Sequence, residues 1–216
     1  ISWTRALKKS AELSREIRYS GALMRTAVYR PYCKQVVYFD RMLNEYVYSL
    51  PKLFPTSEHQ NRAIGMTSDY RKDWSLLIVD ALPDLNLLSA TQFFSLYTYE
   101  AVAEGELPLV GGDAVVVDGY VRKDNVTDST LTTYRGFYED TAIAKEDIFY
   151  YVYGLLHSPT YKETYKADLM KMLPRIPKVK DFWGFSQAGR QLAAVAEPGR
   201  GEADAQQLQR MRNHWG

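Results

Sequence analysis

Three histidines, one cysteine and two pairs of adjacent carboxylates are the residues of this 216-residue chain that could carry bond-making chemistry. His59, His157 and His214 lie far apart and lack the spacing of metal ligands. Cys33 stands alone, so it forms no internal disulfide and has no companion thiolate for a metal. Glu139-Asp140 and Glu146-Asp147 are sequence neighbours, and neighbours on a helix do not face each other. They read as charges near helix starts, where the dipole favours acids. No GxSxG element supports a hydrolytic triad. Gly111-Gly112-Asp113 lacks the GxxxxGK(S/T) pattern and a following helix, so it is not a phosphate loop. There is no Asn/Asp-Pro-Pro-aromatic element to hold an extruded base and no glycine-rich turn for a methyl donor. The chain reads as non-catalytic.

A second kind of chemistry is recognition. Duplex DNA is read by Arg or Lys on guanine and by Asn or Gln on adenine, with phosphate contacts setting the register. Three stretches combine such donors with aromatic rings. Arg30, Tyr32, Lys34 and Gln35 join two short apolar runs, and Tyr70, Arg71 and Lys72 lie in a breaker-rich stretch. Arg122, Lys123 and Asn125 precede a helix whose N-terminus suits a phosphate. Plainer readings stand beside these. Arg30 can fix a corner by an ion pair with Asp40, and Arg71 and Lys72 can simply be solvated. A net charge of +1 is low for a DNA binder, so only a local basic face is expected.

With 46% hydrophobic and 25% charged residues, the chain is globular and long enough for one large domain or two small ones. No apolar run approaches the roughly 18 residues of a membrane span, and no signal segment opens the chain. Together with the lone cysteine this suits a reducing, cytoplasmic setting. The 17 tyrosines suit stacking contacts or amphipathic core filling equally well.

The elements that must position these residues fall into two halves. Residues Trp3 to Arg18 predict a basic helix, a DNA approach or a solvated linker. Short β-prone runs follow at Ala27–Arg30, Val36–Phe39, Arg62–Met66, Leu76–Val79 and Phe93–Tyr99. Leu50–Phe54, bounded by Pro51 and Pro55, reads as an edge or loop. Ala114–Asp118 predicts a strand paired with Tyr120–Arg122. Thr127 or Asp128 can cap a helix towards Tyr138. Lys145–His157 carries a helical apolar stripe, and Ser158-Pro159 starts a second helix lined by Tyr161, Tyr165, Leu169 and Met172 and ended by Pro174 and Pro177. A last core helix is predicted over 179–195 and a terminal one over 202–213. Tyr151, Leu155 and Leu169 are expected to bury against Phe182 and Phe185. The result is an α+β chain. A connecting helix (1–24) leads to a β-rich lobe (25–126) packed on a helical lobe (127–197), with a C-terminal tail (198–216).

The wording of several blocks is more specific than their periodicity. DIFYYVYGLLHSPTYKETYKADLMKMLPRIP (147–177), YRPYCKQVVYFDRMLNE (29–45), NRAIGM (61–66), LPDLNLLSATQFFSLYTYE (82–100), RKDNVTDSTL (122–131) and FWGFSQAGRQLA (182–193) occur in one order across nearly the whole chain. They resemble the C-terminal target-recognition part of the type ISP single-chain restriction-modification enzymes. That family joins a nuclease, a helicase-like motor, an adenine methyltransferase and a specificity domain in one polypeptide. Ala144 departs from the resemblance, since the family commonly has Thr there. A cap weaker by about 1 kcal/mol, or an earlier start at Thr141, is expected.

The resemblance implies a duplex-DNA recognition module that positions a target adenine for an upstream methyltransferase domain. Its implied partners are DNA and the methyltransferase and helicase domains of the same polypeptide. S-adenosylmethionine, ATP and Mg are implied for that parent and none for this chain. Ile1 in place of Met and the linker-like first block suit a piece of a larger polypeptide. The alternative is a helical docking scaffold without base contacts; a small hydrolase is a third reading.

Overall fold

A computed structural model describes residues 4–67, 71–102 and 115–196. Helix α1 (Arg5–Glu12) is capped by Thr4, whose Oγ1 accepts the Leu7 N–H. It stops short of the expected Arg18. Ser14 turns left-handed at φ 51°, and the Arg15 N–H reaches back to Ser10 O. Strand β1 (Met24–Arg30) pairs antiparallel with β2 (Cys33–Tyr38) and parallel with the two-residue β5 (Leu82–Pro83). Between them, Leu50–Leu53 forms a short helix, α2, rather than an edge strand. Pro51 is tolerated in a first helical turn, and Leu50, Leu53 and Phe54 bury in a small cluster with Leu82.

The second sheet has the order β4-β3-β6, with β3 (Ala63–Thr67) central between β4 (Leu76–Val79) and β6 (Thr91–Ser95). The third has the order β7-β9-β8, built from β7 (Tyr97–Ala101), β8 (Val115–Val117) and β9 (Tyr120–Asp124). The stretch expected to be one strand, Phe93–Tyr99, is therefore two. Side chains break it at Leu96. Buried Asn61 donates to Tyr97 O at 2.8 Å and accepts the Tyr97 N–H at 3.1 Å, while Asn125 Nδ2 donates to Ser95 O at 2.9 Å.

Helices make up the remainder. α3 (Asp128–Tyr138) is capped by Thr127. α4 (Lys145–His157) starts after Ala144, so Thr141 does not take over. Alanine has no side-chain acceptor, and only half of a capping box remains: Asp147 Oδ2 accepts the Ala144 N–H at 2.8 Å. The expected second helix is two short ones, α5 (Pro159–Thr164) and α6 (Lys166–Leu169). Thr164 Oγ1 back-bonds to Thr160 O at 2.7 Å, which bends a helix. α7 (Phe182–Val195) begins later than Val179, because Val179 is held by tyrosine hydroxyls and Asp181 caps the helix through the Gly184 N–H.

Helices α4 and α7 touch backbone to backbone. A Cβ on Gly154 would lie 2.2 Å from Phe185 O, and one on Gly189 would lie 1.9 Å from Tyr150 O. Ser186, also buried, donates to Asp147 O. Tyr151 stacks on Phe182, and Tyr151, Leu155 and Leu169 are buried as expected. Ala63, Ile64, Leu77 and Ile78 of the second sheet belong to one core cluster with Tyr150, Tyr153 and Leu156 of α4. Strands thus dominate the N-terminal part and helices the C-terminal part, and the larger of two core clusters draws on both.

Candidate nucleic-acid interface

The three recognition clusters stand on three different sheets. The first is the β1–β2 hairpin. Its inner face is anchored by Val28 and by buried Arg25, whose guanidinium donates to the carbonyls of Ala22, Met24 and Pro55. Desolvation lowers the pKa of Arg25. Beyond this anchor every residue from Tyr29 to Val36 is exposed. A bulge between Val28 and Arg30 and a left-handed Tyr32 (φ 64°) turn the chain over. The Arg30 guanidinium lies 4.7 Å from the Tyr29 ring centroid. The alternative partner of Arg30 is engaged elsewhere: Asp40 Oδ1 accepts the N–H groups of Met42 and Leu43. Lys34 pairs with Asp80 at 3.1 Å, which ties the tip to the β4–β5 turn. Gln35 lines a groove of about 260 Å³ with Tyr29, Tyr46 and Leu85.

In the second cluster Tyr70 lies outside the described residues. Arg71 and Lys72 are exposed, and Lys72 borders a hollow of about 310 Å³ with Trp74, Gln92 and the 169–174 segment. In the third, Arg122 sits mid-strand on β9, 4.3 Å from the Tyr97 ring centroid. Burial raises the phenol pKa values of Tyr97 and Tyr99, and the charge of Arg122 opposes the rise. Lys123 pairs with Glu100 across the strands. Asn125 is exposed, but its amide nitrogen is committed to Ser95 O.

Three of the four carboxylates considered for chemistry have local partners. Glu146 and Asp147 hold Arg190 at 3.1 and 2.8 Å. Asp140 accepts the Trp183 indole N–H at 2.9 Å, which with the Ala142 N–H lowers its pKa. His59 is buried between Tyr99 and Tyr120, its ring nitrogens on Thr56 Oγ1 and Val117 O. His214 and the Gly111-Gly112 run lie outside the described residues. Among those residues no group of three His, Cys, Asp or Glu could hold a metal ion, and no helix is long and apolar enough to cross a membrane.

Sequence reasoning passed over Tyr46 and Tyr48, which stack on each other in solvent. Their only signal was a Tyr-Val-Tyr between Asn44 and Pro51 in a stretch without periodicity.

No curated protein matches the chain. Solved structures do, among them the following three. An ATP-dependent Type ISP restriction-modification enzyme, LlaBIII, bound to DNA is 32% identical, with a TM-score of 0.76. A DrdV–DNA complex is also 32% identical, with a TM-score of 0.79. A nuclease-deletion mutant of the Type ISP enzyme LlaGI with a DNA substrate mimic is 30% identical, with a TM-score of 0.68. Each alignment covers 91% of this chain but only 12%, 18% and 13% of the respective neighbour, so the chain spans a small part of those proteins. The family of the Type ISP C-terminal specificity domain matches residues 1–204, and the chain belongs to it.

Proposed function

We propose that this domain reads a short duplex DNA site and holds it so that a methyltransferase domain of the same polypeptide can act on an adenine within it. The observation that carries the reading is the β1–β2 hairpin. Arg30, Tyr32, Lys34 and Gln35 project from a tip whose base is fixed by the buried Arg25 and Val28. Base-reading side chains on a short rigid element are what direct readout needs. The DNA in all three neighbouring structures supports the assignment. Arg71, Lys72, Arg122 and Lys123 serve as positioning contacts, and the helical lobe as support, which leaves the domain non-catalytic. The domain itself calls on no S-adenosylmethionine, ATP or Mg under this proposal. Those groups belong to the larger polypeptide in this reading, which we place in the cytoplasm.

Selection of this chain against a pool of random duplexes at low salt tests the proposal. The chain should enrich one motif. Arg30→Ala should cost about 1–3 kcal/mol and relax one base pair, and Lys72→Ala should weaken all sequences alike and flatten the salt slope. Recovery of the unselected pool overturns it. One observation favours the docking alternative. Phe137, Leu173 and Trp183 are exposed on the helical side, as a surface facing a neighbouring domain would be. Recovery of the unselected pool by the chain, whether or not these three residues are changed, would favour that reading.

A further inference from the structure

The segment between β2 and α2 holds two tyrosines in a backbone conformation that bulky side chains avoid. Tyr46 and Tyr48 have φ values of 59° and 44°. In this left-handed region a Cβ crowds its own backbone. The conformation is imposed from both ends. Asp40 Oδ1 accepts the Met42 and Leu43 N–H groups, Asn44 Nδ2 donates to the carbonyls of Tyr38 and Asp40, and the Leu50 N–H reaches Val47 O at 3.0 Å. Val47 lines the groove shared with Tyr29 and Gln35, Tyr46 edges the same groove, and both Tyr46 and Tyr48 stay exposed. The two rings stack, with centroids 6.2 Å apart and planes 26° from parallel, yet they remain 70% and 72% exposed. Packing does not account for them, because neither ring enters a core cluster. Strain that persists while it presents side chains to water points to a ligand.

The surroundings indicate which ligand. The Ala6 N–H donates to Glu45 Oε1 at 3.2 Å, which holds the first turn of α1 against the residue preceding Tyr46. That helix carries exposed Arg5, Lys8 and Lys9, and Arg41 is exposed on the loop itself. Open ring faces flanked by cations are what a displaced base and its phosphates take, since every base has a π-face.

We propose that Tyr46 and Tyr48 form a stacking platform for an unstacked DNA base, with α1 contacting the flanking phosphates. The proposal rests on the DNA-recognition reading above and adds to it a site for distorted DNA. The test uses the 216-residue chain and two duplexes of one sequence. One is fully paired and the other carries a single bulged 2-aminopurine. The chain should bind the bulged duplex roughly tenfold more tightly, in line with one base stacked on an aromatic ring, and should change the probe's fluorescence. Tyr46→Ala and Tyr48→Ala should lose both effects while still binding the paired duplex, and Tyr46→Trp and Tyr48→Phe should keep them. Tyr46→Gly relieves the left-handed backbone, so its melting temperature should not fall although the preference disappears. That separates the ring's role from the fold. Equal binding of both duplexes by the wild-type chain, or a preference that survives in the alanine variants, overturns the platform and leaves the DNA reading standing. Binding to neither duplex at low salt overturns both.

Discussion

Tyrosine has opposite uses in the helical lobe and around the β1–β2 hairpin. In the helical lobe the rings are inside and their hydroxyls close hydrogen bonds. Tyr161, Tyr151 and Tyr138 donate to the carbonyls of Arg175, Pro177 and Val179 at 2.6, 2.5 and 2.7 Å. Those carbonyls alternate along a segment outside any helix or strand, whose two prolines have no N–H to offer. Side-chain hydroxyls satisfy there what a strand ladder would otherwise satisfy. At the hairpin and the loop after it, Tyr29, Tyr32, Tyr46 and Tyr48 stay in solvent. A buried phenol usually needs a partner for its hydroxyl, so the carbonyl row favours burying Tyr138, Tyr151 and Tyr161.

The contrast is broken most severely at the α4–α7 crossing. Gly189→Ala puts a methyl group 1.9 Å from Tyr150 O, and backbone cannot step aside as a side chain can. A loss of more than about 3 kcal/mol is expected in a urea melt, above the usual cost of overpacking. Leu155→Ala, in the same interior, should cost about 2–5 kcal/mol by the same measurement. Tyr151→Phe keeps the ring but strands Pro177 O and the Val179 N–H, so about 1–3 kcal/mol should be lost. A pH-dependent loss follows from Tyr134, whose phenol is pushed up to about 12 by desolvation. Its ordinary value near 10 applies in the unfolded chain. The folded state therefore favours the neutral phenol. That contribution is complete below about pH 10 and is lost as the pH rises through about 12. In an alkaline titration, helicity should fall together with the last part of the phenolate absorbance to appear. On the other side of the comparison, Arg30→Ala and Tyr29→Ala should each change stability by less than about 0.5 kcal/mol. A larger change in the melt would mean that the hairpin tip is part of the core.

Much of this was legible in the sequence because local rules and packing agree. The apolar stripe of α4 and the Thr127 cap of α3 announce themselves. So do β3, β4 and the β8–β9 pair, where β-branched residues and turn formers alternate with no competing signal. The misreadings occur where a distant side chain decides a local matter. Asn61, more than thirty residues away, cuts Phe93–Tyr99 in two, and Phe54 with Leu82 turns a proline-bounded stretch into α2. Of the site residues, the hairpin could be named from composition, but the pairing of Lys34 with Asp80 and the tethering of Asn125 to Ser95 could not. The left-handed pair at Tyr46 and Tyr48 was invisible for the same reason: no residue there is of a type that favours that conformation.

The larger core cluster, shared by strands and helices, also constrains inheritance. A recombination joint placed between β9 and α3 would give each daughter half of a cluster whose members face one another, Ile64 and Ile78 on one side and Tyr150 and Tyr153 on the other. Imported halves would have to arrive with matching faces or fail to fold. A change confined to residues 29–36 carries no such debt, because that stretch lies wholly outside the core. Diversification in a domain built this way is expected to proceed by small edits at the tip of one hairpin, with the scaffold passing between generations as an undivided block.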